Sequence, residues 1–301
     1  MSAGVAIPIL MVILTMLLGQ VGTFLSIKTG FLKEVDALTT SCVTGIVMSV
    51  VLWIRVRPWR EKASWALWWR AVTIGIVIVG TSIAGDTAFR VLEVATVTAL
   101  MVVATSHISV ACRIVAEWTR GRRGLGDLRW LAGSLCGVLL LSPPGAVSPT
   151  GLFLVVAGSA SYHLTQKFRS DLPDDDLDTY SALSRLPMVP FFFVLLFYYG
   201  DGAAGVVDMG LINFLICVWA GVVGSIISLV RNTAWKKGVR AVGESMLNPL
   251  IPALTALVGV LAGQTLPWPA FVGIGLIVLS SIGGARSDLR QQKAEQQQGS
   301  D

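Results

Sequence analysis

The chain has 301 residues, of which 54% are hydrophobic and only 14% charged, with a formal net charge of +5. Charge this sparse cannot clothe a water-soluble body of such a size, so a soluble globular protein is excluded. The small positive balance is no nucleic-acid signal either; it follows from where the lysines and arginines sit along the chain.

Apolar stretches of about 20 residues, the length a helix needs to cross a bilayer core, fall at 3–27, 35–54, 66–85, 94–115, 130–146, 150–167, 180–199, 209–229, 241–262 and 267–284. The short alternating segments of a membrane β-barrel do not occur. The expected fold class is an all-α membrane protein of ten transmembrane helices. The first stretch lacks a basic leader and runs too long for a removable signal peptide, so it reads as the first span. It ends at Gln20, Thr23 and Lys28, and the second span runs into the basic loop WIRVRPWREK. The third, AVTIGIVIVGTSIAGD, passes through a very short turn into the fourth, which forces an antiparallel pair. The basic loop TRGRRGLGDLR precedes the fifth span, and SPPGAVSP, Ser142 to Pro149, is a hairpin marked by its prolines and glycine.

The sixth span ends at Lys167 and is followed by the acidic loop RSDLPDDDLD. Its run Asp174, Asp175 and Asp176 reads as solvated charge rather than a metal site, since no histidine or glutamate complements it. Cys42, Cys112, Cys136 and Cys217 share no CxxC spacing and lie in apolar stretches, where free cysteines act as small hydrophobes. No cofactor is expected. Residues 286–301, polar and glutamine-rich, read as a disordered cytoplasmic tail.

The chain is also a duplication. DTAFRVLEVATVTALMVVATSHISVACRIVAEW, from Asp86, aligns without a gap on NTAWKKGVRAVGESMLNPLIPALTALVGVLAGQ, from Asn232, with Thr87-Ala88 on Thr233-Ala234 and Arg90 on Lys236. GQVGTFLSIK, from Gly19, likewise matches GSASYHLTQK, from Gly158. Residues 1–147 and 148–285 are thus expected to be two five-helix repeats. With the N-terminus in the cytoplasm, eighteen basic residues fall in inside segments and Lys28, Lys33 and Arg90 outside, which sets the orientation with both termini inside. An odd repeat must enter the membrane from opposite sides, so the repeats are inverted.

Ionisable groups at membrane depth cost about 2.5–3.5 kcal/mol on insertion scales and so face a cavity or a partner. His107, flanked by Thr105 and Ser106, lies mid-span in the fourth helix: it either faces a solute pathway or is a neutral core histidine. Glu244, with Asn248 one turn deeper, opens the ninth helix; it either lines the pathway or pairs with Arg240. Pro249 and Pro252 free carbonyls nearby. Gln20 in the first span, with Tyr162 and His163 in the sixth, completes the candidate solute-binding set, although His163 also fits a structural role one turn from Lys167. Arg113 and Glu117, four residues apart, read as a structural ion pair, and Asp86 and Arg90 share that spacing at the outer mouth. Arg185 either snorkels to the inner surface or meets an anionic solute. The GxxxG pairs Gly133/Gly137 and Gly259/Gly263 allow close helix approach within a monomer or a homodimer. Trp53, Trp59, Trp65, Trp68, Trp69, Trp118 and Trp130 form an inner aromatic belt.

The glycine-to-lysine helix opening each half, the TAFR and NTAWKK starts, the proline-bearing SMLNPLIPALTALVGVLAGQ and the following PAFVGIGLIVLSSIGG together resemble the ten-helix EamA-type members of the drug/metabolite transporter superfamily. The resemblance covers nearly the whole chain. It implies a bacterial inner-membrane carrier, usually an exporter, for a small solute such as an amino acid, metabolite or drug, with a cavity between the repeats and no nucleic-acid partner. Two departures stand out: the fourth helix lacks the family's proline, and Gln264 replaces an acid. A non-transporting membrane partner or sensor is the alternative. An enzyme is disfavoured, because HExxH, GxSxG and paired intramembrane carboxylates are missing from the sequence.

The topology is directly testable. Reporter fusions at Gly145 and Gly202 are expected to signal from outside and fusions at Gly121 and Gly238 from inside; two reversed reporters overturn the orientation.

Overall fold

A computed structural model of the chain describes residues 3–60, 63–92, 97, 100, 115, 118–119, 128–141, 148–199, 201–237, 250–263 and 265–280. Every regular element among them is helical. In chain order these are α1 (Ala3–Lys28), α2 (Phe31–Glu34), α3 (Ala37–Val56), a single 3-10 turn at Pro58–Arg60, α4 (Trp65–Val91), α5 (Leu128–Leu141), α6 (Pro149–Ser170), α7 (Asp176–Leu183), α8 (Met188–Tyr199), α9 (Gly202–Asp208), α10 (Gly210–Lys236) and α11 (Leu250–Leu261). A last apolar helix, α12, covers Trp268–Ser280. Five stretches are long and apolar enough to cross a membrane: Leu10–Lys28, Ala37–Val56, Trp65–Ala88, Asp176–Tyr198 and Gly210–Lys236. Most of the fourth expected span and the start of the ninth lie outside the described residues, and with them Thr105, Ser106, His107, Arg113, Glu117, Glu244 and Asn248.

Local chemistry sets the helix starts. The Asp36 carboxylate accepts from the Thr39 N–H at 2.9 Å, Ser64 Oγ from Leu67 N–H at 3.2 Å, and Ser148 Oγ from Gly151 N–H at 3.0 Å, each meeting a donor that the first turn leaves unpaired. Pro149 then occupies the first helical position, where its missing N–H costs nothing. Between α1 and α2 the chain turns at Gly30, whose φ of 73° favours glycine.

The seventh expected span departs from a plain helix. It begins at Asp176, four residues before the apolar stretch, and breaks after Leu183 before resuming at Met188. Pro187 lacks an N–H and pushes Leu186 away from helical geometry, which explains the break. Two carbonyls at the break take a further bond from α3: Trp53 Nε1 donates to Ala182 O at 2.8 Å and Ser49 Oγ to Arg185 O at 3.2 Å. Trp53 is therefore pinned into the interior, whereas Trp59, Trp65, Trp69 and Trp118 are exposed as belt residues would be. Two short helices, α2 and α9, sit between spans where the sequence suggests only loops.

Half of the α3 span and half of the α7–α8 span are buried, against 17% for α1, so these two form the centre of the bundle. Cys42, Val79, Met188, Phe192 and Leu196 make one apolar cluster where α3, α4 and α8 meet. A second joins Ala88, Leu92, Val97, Leu100, Val155, Ala270, Ile274 and Ile277. Close approach relies on missing side chains. A β-carbon on Gly137 would strike Gly273 O at 2.7 Å and Ile277, and one on Gly133 would strike Ser280, so this GxxxG pair packs on α12 within the monomer. Cys42 and Cys217 are buried, whereas Cys136 is exposed on α5; Cys112 lies outside the described residues.

Gly75 gives the sharpest packing test. A methyl there would collide with the Ser184 carbonyl and the Pro187 ring, both part of the rigid break, whereas Gly80 has open space around its missing side chain. Gly75→Ala is expected to destabilise the detergent-solubilised protein by about 1–3 kcal/mol, the usual cost of overpacking. Gly80→Ala is expected to be neutral or to stabilise by up to about 1 kcal/mol through helix propensity. Thermal unfolding of the two variants side by side checks the contrast.

Candidate functional site

A cavity of about 250 Å³ opens among α1, α2, α3, the end of α4 and α10. The α1 wall is a stripe of small and hydroxyl residues, Gly19, Gly22, Thr23 and Ser26, whose spacing of three and four puts them on one helix face. From α10 come Ile216, Cys217, Trp219, Ala220, Val223, Gly224 and Ile227, again on one face. Phe31 and Leu32 of α2, Thr40 and Thr44 of α3 and Asp86 of α4 complete the lining. Gly22 lets α10 in: a β-carbon there would come within 2.5 Å of the Trp219 ring. Gly221 similarly lies against Thr44 O and Val47, holding α10 on α3.

The polar groups of this cavity are sparse and oriented. Ser41 Oγ donates a short hydrogen bond to the Asp86 carboxylate. Arg90, one turn further along α4, does not repeat the expected i, i+4 ion pair. Its guanidinium donates to Leu32 O at 3.1 Å and to Thr40 Oγ1 at 3.0 Å, tying the mouth of α4 to α2 and α3. Burial pulls Arg90 below the usual arginine range, with the negative charges of Asp86 and then Asp36 pushing back. Thr44 Oγ1 reaches Cys217 O only at 3.5 Å and Thr23 Oγ1 reaches Gly19 O at 3.5 Å, both long for hydroxyl donors. Their oxygens keep capacity for a ligand. The arrangement offers a carboxylate, hydroxyls and an indole ring in an otherwise apolar cleft, which suits binding of a small solute.

The opposite end of α10 is closed by a polar network. Asn232, 1% exposed, accepts from Arg169 Nη2 at 2.6 Å and donates through Nδ2 to Leu177 O, to Asp178 Oδ1 at 2.8 Å and to Ser181 Oγ at 3.0 Å. Lys236 pairs with the other Asp178 oxygen at 2.6 Å. The Arg169 guanidinium also stacks 4.2 Å above the Trp235 ring. Thus α6, α7 and α10 are locked together where their charged ends meet. Tyr180 is buried nearby within an apolar cluster with Leu67, Ala71, Ile74 and Leu183. Arg185, expected to snorkel or to meet an anion, is half-buried at the helix break and directs Nη1 to Met188 Sδ at 3.1 Å.

Of the candidate solute-binding residues, Gln20 lies on α1 beside cavity-lining Gly19, though it is not itself part of the lining. Tyr162 and His163 lie on α6, and their side chains fall outside the described residues. The cavity is instead built largely from positions that sequence reasoning passed over. The small-residue stripe Gly19, Gly22, Thr23 and Ser26 was the available signal. Trp219 had none, being one tryptophan of ten.

No protein-family model matches the sequence, and no curated protein matches it. Among solved structures, one described only as a crystal structure of a protein superposes with a TM-score of 0.59. The match covers 92% of this chain and 96% of that one at 14% sequence identity. At that identity it is a likeness of fold alone, and it extends over nearly the whole chain.

The network predicts a stability effect. Asn232→Leu keeps the volume but leaves Arg169 and Asp178 without their shared partner, and is expected to cost about 1–3 kcal/mol, the price of unsatisfied buried polar groups. Thermal unfolding in detergent reads this, with Thr73→Val, an exposed hydroxyl on α4, as the unaffected control.

Proposed function

We propose that this chain is a secondary-type carrier of a small solute, similar to the ten-helix EamA-type drug/metabolite transporters, working by alternating access between two inverted repeats in a cell membrane. The observation that carries the reading is the pairing of a cavity at one end of the bundle with a polar closure at the other, made by sequence-equivalent residues. In the alignment of the repeats Asp86 falls on Asn232 and Arg90 on Lys236. Asp86 and Arg90 hold α4 to α3 through Ser41 and Thr40; Asn232 and Lys236 hold α10 to α7 through Ser181 and Asp178. Equivalent side chains thus do equivalent work at opposite ends, which is what an inverted duplication requires.

With the orientation expected from the basic residues, the cavity faces outside and the Asn232 network closes the cytoplasmic end. A carrier then works by exchanging these two conditions. The α10 helix, lining the cavity with its middle turns from Ile216 to Ile227 and joining the network near its end, is the natural lever. Breaking the Asn232 and Lys236 contacts would release α6 and α7 from it, while the glycine contacts at Gly22 and Gly221 let α10 close on α1 and α3. The solute site on this reading lies at the repeat interface, with His107 and Glu244 contributing to recognition or proton exchange from the fourth and ninth helices. The localisation is the bacterial inner membrane, with both termini cytoplasmic.

Counterflow in proteoliposomes tests the reading, beginning with a growth screen of an expressing strain against amino acids, nucleobases and toxic compounds to find a solute. Gly19→Leu, which puts a side chain into the cavity where a β-carbon meets only an ordinary contact with Ile227, is expected to abolish flux of that solute while the protein inserts normally. The pH profile of flux is expected to change in His107→Gln or Glu244→Gln. Saturable flux absent for every solute, or undiminished in Gly19→Leu, contradicts the proposal and favours a non-transporting membrane partner.

A further inference from the structure

We infer that Arg185, at the break between α7 and α8, holds an oxyanion of the phosphate class on the guanidinium edge formed by Nε and Nη2. The site lies outside the cavity described above and stands whether or not the chain is a carrier.

The buried arginines of this protein are answered in different ways. Arg90 donates to Leu32 O and Thr40 Oγ1, and Arg169 donates to the Asn232 amide oxygen at 2.6 Å while stacking on the Trp235 ring. Arg185 gives a single donor, Nη1, to Met188 Sδ at 3.1 Å. A thioether is a weak acceptor, and the bond leaves the planar fork of Nε and Nη2 unused. Neither of those nitrogens makes a hydrogen bond among the described residues, and neither is fully enclosed, in contrast to the Nε atoms of Arg90 and Arg169. The fork therefore faces space that another molecule can enter.

No described carboxylate compensates this charge. Tyr180 is the one ionisable side chain among the described residues near enough to act on Arg185, and Tyr180 itself lies in the field of Arg169, Arg185 and Arg70 with no acid beside them. Its hydroxyl is buried without a hydrogen-bonding partner among those residues. Asp178 is taken by Lys236 and Asn232, and Asp176, which opens α7, comes about two and a half helical turns before Arg185. Arg70 is exposed on α4 beside Ala71, which packs with Tyr180 and Leu183. An uncompensated charge inside an apolar span is costly, and it persists where a partner of opposite sign reaches it.

The donor set names the partner's class. A guanidinium fork matches two oxygens of an oxyanion at once. With Arg70 as a second positive charge on the same packing cluster, a phosphate, which spreads its charge over several oxygens, is favoured over a carboxylate. The exposed Trp69 next to Arg70 and the polar Asp178 end of α7 put the site near one membrane surface, where basic pockets between helices hold lipid headgroups. A headgroup phosphate and a free phosphate share this chemistry, and the experiment separates them.

The test uses the full-length protein in detergent, with bound lipid counted by native mass spectrometry. Phosphatidylglycerol is titrated against diacylglycerol of the same acyl chains, which lacks the phosphate. The wild type is expected to bind phosphatidylglycerol at least about tenfold more tightly, the scale of one charge-assisted contact. Arg185→Met is expected to erase the preference, and Arg185→Lys, which keeps the charge without the fork, to reduce it several-fold. Arg55→Gln, an exposed base near the end of α3, is expected to leave it unchanged. In a second arm, inorganic phosphate is added to protein without added lipid, at ionic strength held constant with chloride. A rise in wild-type melting temperature that Arg185→Met lacks makes free phosphate a ligand of the site; the lipid preference without that rise makes the ligand the headgroup. Neither response in the wild type, a response that survives in Arg185→Met, or one lost equally in Arg55→Gln overturns the inference. Folding is read separately. Without lipid or phosphate, Arg185→Met is expected to melt no lower than the wild type, because it removes an unanswered charge; a variant that melts lower gives Arg185 a framework role and overturns the inference as well.

Discussion

Every polar group inside this bundle has to find its partner in the protein, because the surrounding helices offer almost nothing but hydrocarbon. The break between α7 and α8 shows how much follows from that constraint. At the break the Ala182 and Arg185 carbonyls each accept a local backbone bond and then a second bond from α3, from the indole of Trp53 and the hydroxyl of Ser49 respectively. Those two bonds fix α3 at the centre, and Gly75 then allows α4 to lie directly on the broken segment. The cavity inherits its shape from the result. With α3 held by α7 and α8 on one side, α10 packs on the other through Gly221 and through Ser225, whose Oγ donates to Met48 O at 3.1 Å. Only the outer parts of α1 and α10 are left to diverge around the space near Asp86.

The two ends of the third and eighth expected spans carry the electrostatics. Asp86 with Arg90, and Asn232 with Lys236, occupy matching positions and bind matching neighbours, yet the local balance differs. At the closed end, Asp178 and Lys236 touch and the Asn232 amide bridges them to Arg169, a connected network that favours a rigid lock. At the cavity, acid and base bond to different partners, Asp86 to Ser41 and Arg90 to Leu32 O and Thr40, without a direct bond between them.

The span positions were largely legible from hydropathy. Expected spans at 3–27, 35–54, 150–167 and 209–229 correspond to α1, α3, α6 and α10 within a turn or two, the extra length coming from polar ends such as Asn232 to Lys236 that remain helical without being apolar. The short α2 and α9 were not legible, since helices of four and seven residues produce no periodic signal. The seventh span was foreseen as one helix because Pro187 was weighed as part of an apolar run rather than for the N–H it lacks. For the site, the ionisable residues at membrane depth that stand out in the sequence, His107 and Glu244, lie outside the described residues. The described cavity is instead walled by glycines, hydroxyls and one tryptophan, residue types common in every membrane helix. Only Asp86 and its neighbour Arg90 carried a readable charge signal, and their equal spacing to an i, i+4 pair suggested a local bond where the tertiary fold provides Ser41, Leu32 and Thr40 instead.

If the chain works as the proposed carrier, the space beside Asp86 is reached from both sides of the membrane in turn. The direct measurement places a single cysteine in the cavity wall, Thr23→Cys, with Cys42, Cys112, Cys136 and Cys217 replaced by alanine. A membrane-impermeant thiol reagent is then applied to right-side-out and inside-out vesicles. The account predicts modification from both faces, with the inside rate rising when Asn232→Ala loosens the closed end. Modification from one face alone, unchanged by Asn232→Ala, would contradict it.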